Sequence, residues 1–77
     1  MKDNPVPYFW DKALGGDGAP ILDAEVFEVD VEESARFRLP VGSYFVVWLD
    51  DGVVHGASFR NRENVAEWAE TYWHHND

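Results

Sequence analysis

Ser43-Tyr-Phe-Val-Val-Trp-Leu49, Asp50-Asp51-Gly52 and Val53-Val-His-Gly-Ala-Ser-Phe59 read as one β-hairpin, and the segment from Asn61 to Trp73 reads as a helix folded back onto it. From Tyr44 to Leu49 the chain is apolar at both parities. Successive strand side chains point to opposite faces, so Tyr44, Val46 and Trp48 line one side and Phe45, Val47 and Leu49 the other. Such a strand is central and requires cover on both faces. Asp51-Gly52 suits a two-residue type I′ turn, which needs positive φ at both central positions. A three-residue Asp50-Asp51-Gly52 loop with a glycine bulge is the rival, and the two registers set different faces of the return strand against Trp48.

The helix has a start signal and two distinct faces. Asn61 suits an N-cap, and Glu63 falls in the first turn, where the helix dipole favours an anion. Val65, Trp68, Ala69 and Tyr72 recur on one face. At about 100° per residue, Glu63, Glu67, Glu70 and His74 share the opposite one. Glu63 and Glu67 repel each other at i, i+4, a small local cost.

Toward the N-terminus, Phe27, Val29 and Val31 alternate with Glu28, Asp30 and Glu32, which predicts a half-buried strand. Glu32-Glu33-Ser34-Ala35 is the predicted turn, Arg36-Phe37-Arg38-Leu39 the next strand, and Pro40-Val41-Gly42 the turn into the hairpin. If the two strands pair, Arg36 and Arg38 lie near the acids, each cross-strand pair contributing roughly 0.2–1 kcal/mol. Pro5-Val6-Pro7 followed by Tyr8-Phe9-Trp10 reads as a stiff extended arm. Gly15-Gly16-Asp17-Gly18-Ala19-Pro20 reads as a loop without a phosphate-binding glycine pattern. The rings of the arm are expected to cover the open side of the sheet. Alternatively, Phe9 and Trp10 anchor in a partner's groove.

The expected architecture is α+β: one small domain over 1–77, with the arm and glycine loop over 1–20, antiparallel strands over 21–60 and a helix over 61–75. The sheet has three to four strands and one C-terminal helix packed on one face. A chain of 77 residues buries only about 60% of its unfolded surface, so its stability is small. The absence of cysteine excludes a disulfide framework and a thiolate metal site.

Fifteen Asp and Glu against six Lys and Arg give a formal charge of −9, while 45% of the residues are hydrophobic, the balance of a folded acidic domain. Direct contact with nucleic acid or an anionic bilayer is disfavoured, because those surfaces are bound through Lys and Arg. No basic segment followed by an apolar run opens the chain, and no apolar stretch reaches the length of a membrane span. A soluble, cytoplasmic protein is expected, in the host cytoplasm if it is phage-encoded.

A catalytic grouping of Ser58, His55 and a turn aspartate fails on parity, since residues 55 and 58 of one strand point to opposite faces. His74 and His75 diverge by about 100°, and the i, i+4 pair Glu70 and His74 supplies too few ligands for a zinc site. Their expected role is to complement the dipole at the helix C-terminus. No catalytic residue, metal or cofactor is expected.

Six acids, Asp23, Glu25, Glu28, Asp30, Glu32 and Glu33, crowd the predicted strand. Alternate strand residues are roughly 6.6–6.8 Å apart, so outward carboxylates form a row resembling a phosphate repeat. The same sign recurs at Asp50, Asp51, Glu63, Glu67 and Glu70. A soluble face that resists aggregation, or adaptation to high salt, explains the charge more blandly. The expected function is a non-enzymatic protein that occupies a basic nucleic-acid-binding surface of a partner protein or complex. In size, charge and lack of catalytic groups the chain resembles the small antagonists, often phage-encoded, that block restriction or CRISPR effectors by imitating DNA. That resemblance is one of type and aligns no residues. The expected partner-binding residues are Glu28, Asp30, Glu32, Asp50, Asp51, Glu63, Glu67 and Glu70, with Phe9 and Trp10. The alternative is an assembly module that forms a homodimer through the apolar sheet face, its acidity serving solubility only.

Overall fold

In the computed structural model, which describes residues 4–21 and 23–75 and side-chain surroundings as far as residue 71, Asp51 and Gly52 both take positive φ, 53° and 77°. Asp50 pairs with Val53 and Trp48 with His55, so the turn has two residues and the bulged rival is excluded. In chain order the elements are α1 (Pro5–Leu14), β1 (Ala19–Ile21), β2 (Ala24–Glu28), α2 (Val31–Phe37), β3 (Tyr44–Asp50), β4 (Val53–Phe59) and α3 (Arg62–His75). The strands form one antiparallel sheet in the order β1-β2-β3-β4. The expected α+β architecture is present, with four strands and the C-terminal helix.

The two apolar parities of β3 explain the layering. Phe45 and Val47 join Phe9, Phe27 and Val29 in one buried cluster, against which Val6, Tyr8, Trp10 and Ala13 of α1 and Phe37 of α2 pack. On the other face Val46 joins Ala24 and Val65, with Tyr44, Trp48, Phe59 and Trp68 packed around them. Val65 and Ala69 are each only 4% exposed, so α3 buries the face its spacing predicts. Tyr72 of that face, and the side chains of Trp73, His74 and His75, lie outside the described residues. The Asn61 side chain accepts from the Asn64 backbone N–H at 2.9 Å, the expected N-cap.

Two segments differ from the sequence reading. The first is the supposed extended arm, which is helical from Pro5 to Leu14. Proline is tolerated in a first helical turn, whose N–H groups have no intrahelical partner, and Asn4 caps the helix by accepting from Val6 N at 3.0 Å. The rings do cover the sheet, but as a helical face: Val6, Phe9, Trp10 and Ala13 fall at i, i+3, i+4 and i+7.

The second is the strand predicted to run through Val31, which ends at Glu28, after which α2 replaces the turn and the second strand. Asp30 and Glu33 form a capping box: Glu33 N donates to Asp30 Oδ1 at 2.8 Å, and Asp30 N donates to Glu33 Oε1 at 3.2 Å. Arg38 takes a left-handed conformation and ends the helix before Pro40.

Gly56 sits where α1 crosses β4. A Cβ there would lie 2.7 Å from Val6 Cγ2 and 2.8 Å from Phe45 Cε1, which only glycine avoids.

Candidate protein-binding surface

Glu63, Glu67 and Glu70 are all exposed on α3, whose Val65 is buried against Val46 and Ala24 and whose Ala69 is 4% exposed. At about 1.5 Å of rise per residue, the three carboxylates follow each other at roughly 6 and 4.5 Å along the helix axis. Glu28, exposed at the end of β2, lines the same open groove of about 760 Å³ as Glu63, together with Arg62 and the apolar Ile21, Val26 and Val65. The helix thus carries an ordered acid row, and Glu28 stands beside its first member.

The predicted strand row of Glu28, Asp30 and Glu32 is not formed. With β2 ending at Glu28, the Asp30 carboxylate caps α2 and Glu32 lies in the first turn of that helix, where both complement its dipole. Glu33 is turned inward and is 2% exposed. Lys12 Nζ donates to Glu33 Oε2 at 2.8 Å, and Tyr8 also donates to this carboxylate. Burial acts to raise the Glu33 pKa, but the hydrogen bonds from Lys12, Tyr8 and Asp30 N and the Lys12 charge outweigh it, holding the group below its ordinary value. The Tyr8 hydroxyl is pushed up to about 12, first by its hydrogen bond to Glu33, then by burial and the nearby carboxylate charges. Arg36 and Arg38 do not pair across a strand with the acids: the Arg36 guanidinium lies 5.1 Å from the Tyr8 ring centre, and Arg38 ends α2.

Phe9 cannot anchor a partner, since it is 0% exposed and stacks on Phe45 at 4.7 Å. Trp10 is half-buried against the same cluster. Phe45 is 4% exposed and both sheet faces carry a helix, so a dimer through an open apolar sheet face lacks its surface. Asp50 and Asp51 are exposed at the hairpin turn, six residue steps along β3 from the Glu28 end, or about 20 Å. Arg60 and Arg62 stand at the opposite end of β4 from that turn. Both arginines share that end with Glu28 and Glu63.

His55 stacks on Trp48 on the α3 side, with ring centres 5.6 Å apart. Ser58, opposite Phe45, belongs to the α1 side, so the two diverge as their parity predicts. Among the described residues no group of three His, Asp or Glu side chains is placed to hold a metal ion, and no helix is long and apolar enough to cross a membrane. Comparison with protein-family models, curated proteins and solved structures gives no match to this chain.

Proposed function

We propose that the chain is a non-enzymatic binding protein whose acidic α3 face occupies a basic, normally nucleic-acid-binding surface of a partner protein, as a DNA-mimic inhibitor of anti-restriction or anti-CRISPR type. The observation that carries this reading is the exposed row of Glu63, Glu67 and Glu70 on a helix whose other side is fixed in the core. Roughly 4.5–6 Å of axial rise separates neighbouring charges, against about 3.4 Å per phosphate along one DNA strand, a sparser repeat of the same sign. Because the helix is packed, little backbone ordering remains to oppose binding, and the cost left is that of fixing the exposed glutamate side chains. Glu28 widens the row beside Glu63, whereas Asp30 and Glu32 now belong to α2 and contribute charge without the strand spacing.

The test is capture of partners from a lysate of the cell in which the chain is made, followed by affinity measurement with the captured protein. Each exposed ion pair contributes roughly 0.2–1 kcal/mol, so the triple variant E63Q/E67Q/E70Q should bind roughly 3- to 150-fold more weakly. Nucleic acid should compete for the same partner. Unchanged affinity of the triple variant, or binding indifferent to competing nucleic acid, overturns the reading.

A further inference from the structure

We propose that a second copy of this chain pairs with the free edge of β4, antiparallel and about a two-fold axis at Gly56, joining two four-stranded sheets into one of eight.

The two edges of the sheet are built differently. β1 is three residues long with Pro20 at its centre, which is a protected edge. β4 is seven residues long, pairs with β3 without a bulge from Val53 to Phe59, and holds no proline, lysine or carboxylate. The sequence devices that keep an edge strand from pairing with another chain are absent from residues 53–59, and among the described residues no strand pairs with its outer side.

Its ends are self-complementary. With Gly56 opposite Gly56 of the second copy, Val53 meets Phe59, Val54 meets Ser58 and His55 meets Ala57. The match keeps each side chain on its own face of the sheet. Val53, 56% exposed in the single chain, gains the half-buried Phe59 ring as a neighbour. Beyond the strand, the turn of one copy, with the exposed Asp50 and Asp51, lies at the same end of the seam as the exposed Arg60 of the other. Gly56 itself adds no side chain at the axis, where Val6 of each copy's α1 lies over it. Because the two-fold axis stands perpendicular to the sheet, both α3 helices lie on the same side of the joined sheet, and their outward acid rows face one direction.

Two measurements test this. Sedimentation velocity of the whole chain at sub-millimolar concentration should give a species near twice 8.8 kDa, and a monomer throughout that range overturns the proposal. The variant V54C/S58C, in a chain with no cysteine of its own, should form a covalent dimer on oxidation. Within one copy those positions are about 13 Å apart, beyond the ~7 Å a disulfide spans, so a cross-link reports the pairing between copies. V54C and S58C alone should not cross-link. A dimer in which the double variant stays unlinked places the interface elsewhere and overturns the assignment. D51N, which keeps a residue that tolerates the turn's positive φ, should weaken the dimer roughly two- to thirty-fold, and an undiminished dimer would refute the register.

Discussion

Replacing Phe9 with alanine is the most direct test of the layer formed by α1. The ring is fully buried and stacks on Phe45 at 4.7 Å, with Phe27 at 5.4 Å and Phe37 at 6.0 Å between ring centres. Truncating a buried phenylalanine costs about 3–5 kcal/mol, because transfer free energy and packing contacts are lost together. At about 0.05–0.15 kcal/mol per residue, a chain of 77 residues has a total stability of about 4–12 kcal/mol. F9A should therefore remove from about a quarter to all of it. Urea unfolding followed by tryptophan fluorescence reads the change, and with an m-value of about 1 kcal/mol/M the midpoint should fall by about 3 M or the chain should be unfolded in buffer. F9L, which retains much of the volume, should lose markedly less. A loss below about 1 kcal/mol for F9A would mean that α1 does not complete the core and would restore the reading of residues 5–10 as an arm for a partner.

Three other outcomes follow from particular contacts. Glu33 is held below its ordinary pKa, so its contribution is present above the unfolded value of about 4.3 and lost as pH falls through the folded one; E33Q should flatten that acid limb of the urea midpoint, and an unchanged acid limb would count against the buried pair. The same carboxylate raises Tyr8 to about 12, so the Tyr8 contribution should be complete below pH about 10 and lost as pH rises toward 12; Y8F should lack this alkaline step, read by the same unfolding curves. G56A forces a methyl against Val6 and Phe45 and should cost about 1–3 kcal/mol in the urea midpoint, whereas a neutral substitution would mean that α1 does not cross β4 there.

The hairpin and α3 were legible because each carried one unambiguous period and its own punctuation. Residues 44–49 are apolar at both parities, Asp51-Gly52 fits the positive-φ turn, and Asn61 opens a helix with Val65 and Ala69 on one face. The register was not legible, since both loop lengths use the same residues and only the pairing of Trp48 with His55 separates them. α1 was obscured because two prolines within three residues equally suit a stiff extended segment. Asn4 followed by Pro5, with apolar residues at 6, 9, 10 and 13, was the signal of a capped helix.

α2 was obscured by its length, since seven residues span too few turns to show a period. Its capping box, Asp30 with Glu33, was visible in the sequence. The strand alternation did hold as far as Val29, 1% exposed, and failed at Val31, 71% exposed. β1 had no sequence signal, because Ala19-Pro20-Ile21 becomes a strand only through its pairing with β2. The acid row on α3 was therefore readable from helical spacing, whereas the strand row depended on a strand that the capping box ends.

Affinity of the captured partner for the wild-type chain and for E63Q/E67Q/E70Q, measured from low to high salt, is the decisive measurement. The account requires wild-type binding that weakens steeply with salt and a triple variant that is weaker and less salt-sensitive. Equal affinity and equal salt dependence of the two proteins would contradict it.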